Sequence, residues 1–200
     1  MKEQLQKDFE NNIKNLSLSQ KDIEIKKFCL DNFIDKGFPN KKEEDWKFSD
    51  LNQIIKNNIG ELSFYNDQAS TNKVDTSVFV DGLEHNKIVF INGRIEKIDF
   101  EYEKKDQIEI IDQSETINEF KNSNSLSDLN NAFTNKCFKI LVKKGYQLVK
   151  PLIIYHTTNS KIWSKNINLR LNFELDKDSS LRLIDLFNDC LLYTSDAADD

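Results

Sequence analysis

The run "NINLRLNFEL" is the feature that most restricts what this chain can fold into. Ile167, Leu169, Leu171, Phe173 and Leu175 alternate without a fault with Asn168, Arg170, Asn172 and Glu174. In an extended strand the apolar set leaves one face and the polar set the other. Such a strand is ordered only when another layer covers its apolar face. Each side chain buried there contributes roughly 1.5–3 kcal/mol against the entropy of fixing the chain. Its neighbours are also short and strand-like: "FKILVKKG" ending in a Gly145 turn, "YQLVKPLIIYHTT", and "SSLRLIDLF" after the turn "DKDSS". No intervening helix is long enough for a βαβ crossover. The spacing leaves two architectures open, an antiparallel sandwich or a β-solenoid.

Upstream, the first third reads as helix. Leu5, Phe9, Ile13 and Leu16 recur at three- and four-residue steps. Ser19 is placed to cap a second helix, with Asp22 completing a weaker capping box. In that helix Ile23, Lys27, Leu30 and Ile34 form one stripe, widened by Ile25, Phe28 and Phe33. Gly37 supplies a left-handed stop, and Pro39 keeps the helix from resuming. A third helix is expected from Ser49, with Leu51, Ile54 and Ile55 as its buried face and Gly60 as its end. "KIVFINGRIEKIDF" predicts a hairpin turning at Asn92-Gly93, followed by a strand at "QIEII" and a capped helix at "SLSDLNNAF" burying Leu126, Leu129 and Phe133. Residues 61–87 show no usable pattern.

The domain division expected from this pass is a helical region over 1–60, a hairpin and loop connector over 61–124, and a β core beginning over 125–190. The end, "LLYTSDAADD", holds two of the chain's four alanines and three aspartates that supply half of the net charge of −6. It reads as a non-native read-through tail over 191–200, with the natural chain continuing from about residue 190.

Composition removes several classes of function. A net charge of −6 gives no basic field for nucleic acid or anionic lipid. The N-terminus has the features of neither a secretory signal nor a transit peptide, and no apolar run approaches membrane-spanning length. Three dispersed cysteines, Cys29, Cys137 and Cys190, argue against a disulfide framework and for a reducing, cytoplasmic setting. The closest glycines are Gly82 and Gly93, too far apart for a P-loop or GxGxxG phosphate cradle.

Several pieces in order carry a family resemblance. "GFPNKKEEDWKFSDL" combines a glycine–aromatic–proline turn (Gly37, Phe38, Pro39), acidic residues before Trp46, a basic residue, and Phe48 followed by serine. "IVFINGRIEKID" holds Asn92, Gly93 and Arg94. "LNNAFTNKCFKILVKKGYQLVKPLIIYH" joins a helix to strands through a Lys-Pro turn, and "NINLRLNFELDKDSSLRLIDLF" follows. From about residue 20 to 188 this resembles the SufD branch of the SufB/SufD family, scaffolds of the SufBCD iron–sulfur cluster assembly complex. The resemblance implies an α+β chain, an N-terminal helical region followed by the first coils of a right-handed parallel β-helix, truncated before its later coils. It implies a SufB-like homologue as partner through the β-helix and a SufC-like ABC ATPase bound through a missing C-terminal region. The iron–sulfur cluster would be made with those partners, none being bound by this fragment. No catalytic, cofactor-binding or metal residue carries over. The eight motif residues are expected to be structural, with Trp46 and Phe48 as buried apolar anchors.

Sharper chemistry is weaker than its plain alternatives. His85 and His156 have no HExxH arrangement, and His156 reads as a strand-end surface residue. Cys137 and Cys29 read as buried structural thiols, since cluster ligation needs several converging cysteines. "EYEKKDQIE" reads as an exposed strand margin rather than a working carboxylate pair. The expectation is a non-catalytic scaffold. The alternatives are a β-helix carbohydrate-active enzyme and a generic interaction module.

Overall fold

In the computed structural model, residues 2–14, 16–58, 63–64, 74–113, 124–158 and 165–188 are described. Cys190, Gly60 and the 191–200 tail lie outside them. Helix α1 spans Lys2–Lys14, α2 Gln20–Lys36, α3 Leu51–Asn58 and α4 Ser125–Phe133. The strands are β1 (Asn86–Ile91), β2 (Arg94–Asp99), β3 (Ile108–Asp112), β4 (Lys136–Val142), β5 (Leu152–Thr157), β6 (Leu169–Leu175) and β7 (Leu183–Phe187). They form two open sheets, ordered β2-β1-β5-β7 and β3-β4-β6. The chain is therefore mixed α+β.

Strand direction bears on the first of the two architectures left open above. β1 runs antiparallel to β2, but β1 pairs β5 in parallel, Asn86 opposite Leu152, and β5 pairs β7 in parallel, Leu152 opposite Leu183. In the other sheet Gln113 N donates to Cys137 O and Lys143 N to Gln107 O, an antiparallel order for β3 and β4. Asn172 meets Cys137, and Asp176 N donates to Val142 O, so β6 runs parallel to β4. An all-antiparallel sandwich is overturned. From β4 onward, successive strands fall alternately in the two sheets.

The contacts divide the chain into two compact units. The first comprises Met1–Gln68, Ile110–Lys139 and Ser164–Asn172, and the second the remaining residues. In the first, Leu5, Phe9, Cys29, Leu30, Phe33, Phe38, Leu129, Ala132 and Phe133 form one apolar core. Phe133 stacks on Phe64 at 3.6 Å between centroids and meets Phe9 edge-on at 6.1 Å. The α2 stripe is rotated from the expected one. Its buried residues are Asp22, Lys26, Cys29, Leu30 and Phe33, whereas Lys27 and Phe28 face solvent. The stripe lies where α4 packs against it, so tertiary contact chose a face that hydropathy alone misplaced by one position. In α3, Leu51 and Ile55 pack on the core but Ile54 is exposed.

The local signals at helix ends hold. Ser19 Oγ accepts from Asp22 N at 3.2 Å, and Asn124 Oδ1 accepts from Ser127 N at 2.8 Å at the start of α4. Gly37 has φ 71° and ψ −166° while its N–H donates to Phe33 O at 2.7 Å. Its carbonyl accepts from Ser125 Oγ, tying the end of α2 to the start of α4.

In the second unit Asn92 and Gly93 both have positive φ, 52° and 78°, as a two-residue hairpin turn requires. The core strands β1 and β5 are buried along most of their length. The flawless alternation of β6 does not produce a covered face. Phe173 and Leu175 are exposed, and β6 is an end strand of its sheet among the described residues. β7, an end strand of its own sheet, has Leu183, Ile184 and Phe187 exposed.

The Gly37 conformation belongs to a region that side chains disfavour strongly. Gly37→Ala is expected to destabilise the protein by about 1–3 kcal/mol, read as a lower urea midpoint with an unchanged m-value. No atom lies within 4 Å of the added Cβ position, so backbone strain is the whole cause.

Candidate functional site

The motif residues fall into two groups. Gly37, Phe38 and Pro39 end α2, and Phe38 packs edge-on against Phe33 at 5.0 Å. Trp46 closes a short 3-10 turn, Glu44–Trp46, and is half-buried. Phe48 is 89% exposed, so its expected role as a buried anchor is wrong. It sits between that turn and α3, its ring outward, with Lys47 Nζ 5.3 Å from the ring centroid. Asn92, Gly93 and Arg94 form the β1–β2 turn and the first residue of β2. These residues shape turns and present no convergent chemistry.

The densest polar construction in the first unit surrounds Lys26, which the sequence reading passed over. Its side chain lies inside the α2–α4 packing, and only 2% of the residue is exposed. Lys26 Nζ donates to the carbonyl oxygens of Asn131 (3.2 Å), Ala132 (3.4 Å) and Thr134 (2.6 Å). Asn12 Nδ2, from α1, donates to Phe133 O at 3.3 Å. Thr134 supplies both its N–H and its Oγ1 to Asn130 O. Every carbonyl from 130 to 134 thus has a donor, at the helix end where carbonyls otherwise lack partners and where positive charge is favoured. Burial nevertheless lowers the Lys26 pKa to about 8, against the pull of Cys29 and Asp22.

Beside this cage, Arg170 of β6 donates to Asn131 Oδ1 at 2.8 Å and to Asn172 Oδ1 at 3.2 Å. Asn172 Nδ2 reaches Cys137 Sγ at 3.5 Å. Burial pushes the Cys29 thiol up to about 11, reinforced by Asp128. Burial also raises Cys137, with Arg170 opposing it. Burial thus makes both thiols harder to ionise than an ordinary cysteine. Among the described residues no three His, Cys, Asp or Glu side chains converge to hold a metal ion. Cys137 is half-buried rather than buried.

In the second unit Glu103 corrects the reading of "EYEKKDQIE" as an exposed margin. Its carboxylate accepts from Asn86 Nδ2 (2.6 Å), Lys150 N (3.1 Å), Tyr146 OH (2.7 Å) and Val149 N (3.1 Å). It clasps the turn before β5. Burial would raise its pKa, but these four donors together hold it below the ordinary carboxylate value. His156 lies near the end of β5 as expected, but it is half-buried rather than free on the surface. It is stacked between Phe90 at 5.3 Å and Phe187 at 4.4 Å, with Nε2 2.8 Å from Asp185 Oδ1. Parallel registry puts these three rings on consecutive strands. No protein-family model matches this chain, and no curated protein matches it. No helix among the described residues is long and apolar enough to cross a membrane.

Lys26→Met removes the donor to three carbonyls at the α4 terminus and is expected to cost about 1–3 kcal/mol at neutral pH. The folded Lys26 loses its proton near 8 and the unfolded one near 10.5, so its linkage raises stability with pH between those values. Cys29, raised from 9 to about 11, lowers stability across its own window. Wild-type stability should therefore gain about 1 kcal/mol from pH 8 to 9 and then level off. The Met variant should show only the later fall, in urea titrations at each pH. Glu103→Ala should lower the midpoint at neutral pH and reduce acid sensitivity, because a depressed carboxylate stabilises above its unfolded pKa and ceases to as pH falls through the folded one.

Proposed function

We propose that this chain is a non-catalytic scaffold subunit in iron–sulfur cluster biogenesis, resembling SufD. It would work in the cytoplasm with a SufB-like homologue and a SufC-like ATPase. The observation that carries the reading is the path of β4 to β7. From β5 onward each strand lies in the sheet its predecessor does not, and β6 pairs in parallel with β4 as β7 does with β5. Gln147 opposite Ser180, between the strands, repeats that registry at a corner. Such winding supports the right-handed parallel β-helix that the sequence resemblance implies, in which each coil covers the edge of the one before. The ring ladder of Phe90, His156 and Phe187 suits the same arrangement, because identical positions of stacked coils fall above one another.

A scaffold role also suits the side-chain chemistry. The titratable groups that are most engaged, Lys26 and Glu103, are spent on helix ends and turns. The cluster is the cargo of the assembled complex, and its ligands come from partner subunits. Presenting a sheet edge and holding subunits in place needs rigidity rather than a reactive group.

Co-expression of the tagged full-length protein with candidate partners separates the readings. Stoichiometric co-purification with an ABC-type ATPase and a cysteine-bearing homologue is expected. Absence of both together with polysaccharide cleavage by the chain alone would move the assignment to a β-helix carbohydrate-active enzyme. Absence of both with no such cleavage would leave a generic interaction module.

A further inference from the structure

The segment Val74–His85, preceding β1, lies across one face of the β1–β5 pair. Val74 and Phe79 pack on Val89, Ile91, Ile153 and Tyr155, four side chains that are almost wholly buried. The Phe79 and Tyr155 rings meet at 4.9 Å, and Lys97 Nζ lies 5.7 Å from the Phe79 ring centroid. Two of the segment's polar fastenings run through one hydroxyl, while Glu84 and the His85 carbonyl are held at its end by Lys150 and Lys87. Tyr155 OH accepts from Val80 N at 3.0 Å and lies 2.6 Å from His85 Nε2. His85 Nδ1 lies 2.5 Å from Leu83 O.

A carbonyl can only accept, so Nδ1 carries the imidazole proton and Nε2 accepts the Tyr155 hydroxyl proton. The relay is complete in one protonation state alone: Nδ1–H to Leu83 O, Tyr155 O–H to Nε2, Val80 N–H to Tyr155 O. A proton added at Nε2 turns that nitrogen into a donor. The tyrosine oxygen must then accept from both Nε2 and Val80, and its own hydrogen is left without an acceptor. The charge itself would reside on a residue only 3% exposed. Neighbouring charges are engaged elsewhere. Lys87 Nζ donates to His85 O at 3.3 Å and pairs with Asp99 at 3.8 Å, while Glu84 pairs with Lys150 at 2.6 Å. The imidazole nitrogens themselves meet a carbonyl and a hydroxyl rather than a carboxylate.

We propose that Val74–His85 is a proton-released strap: protonation of His85 breaks the Leu83–His85–Tyr155–Val80 relay and uncovers the apolar face of Val89, Ile91, Ile153 and Tyr155. Release requires no movement of β1 or β5, whose backbone ladders are independent of the relay. The device is separate from the scaffold role and stands or falls by itself.

Amide hydrogen exchange on the full chain tests it, compared at about pH 7.5 and about pH 5.5, either side of the range in which histidines ordinarily titrate, after correction for intrinsic exchange. Protection across 74–85 is expected to fall about tenfold or more on acidification, while the β5 peptide stays protected. His85→Gln can donate to Leu83 and accept from Tyr155 without titrating, and should keep the strap protected at both pH values. Tyr155→Phe keeps the ring and loses the hydroxyl, and should leave the strap poorly protected at both. Unchanged wild-type protection would overturn the proposal. So would the same acid-induced loss in His85→Gln or, should that variant not fold, in Tyr155→Phe.

Discussion

The first unit depends on how the C-terminal end of α4 is satisfied. A helix that ends inside a protein leaves a cluster of carbonyls that water cannot reach. Here the donors are brought by two other helices, Lys26 from α2 and Asn12 from α1. That requirement fixes the rotation of α2 about its axis, which in turn decides that Cys29, Leu30 and Phe33 face the core. The Gly37–Ser125 bond joins the opposite ends of the same helix pair. Polar and apolar contacts therefore specify one arrangement, since a rotated α2 would bury its apolar residues only by withdrawing the ammonium.

The second unit rests on a different device. Beyond the β1–β2 hairpin, its β1–β5 and β5–β7 pairs are long-range and parallel, which no turn can position, so their registry has to be set by side chains. Glu103 does this on one side by gathering the backbone of 149–150, the hydroxyl of Tyr146 and the amide of Asn86 around one carboxylate. The stacked rings of Phe90, His156 and Phe187 do it along β1, β5 and β7. A one-residue slip would put every ring on the wrong face. Parallel strands far apart in sequence need such markers more than a hairpin does.

What the sequence disclosed follows the range of the interaction. The Asn92-Gly93 turn, the Ser19 cap, the Gly37 stop and the limits of α4 are decided by residues a few positions apart, and all are where the pattern puts them. Lys26 was missed because a lysine reads as solvent-facing. Its signal was positional: Asp22, Lys26, Cys29 and Phe33 keep the helical spacing of a single stripe. Glu103 gave no local signal, since its partners lie more than forty residues along the chain, except for Asn86. The alternation of β6 was legible, but whether anything covers its apolar face depends on neighbours that the strand itself does not encode. Phe48 shows the same limit, because an aromatic in a family-like motif says nothing about which way its ring turns.

Whether a buried ammonium closes the end of α4 can be read directly from the Lys26 side chain. Heteronuclear NMR of its Cε and Nζ resonances, followed from neutral to alkaline pH, should show a slowly exchanging ammonium that titrates near 8, apart from the other lysines. A Lys26 signal that exchanges freely and titrates near 10.5 would place the side chain in water and remove the constraint from which the first unit is built.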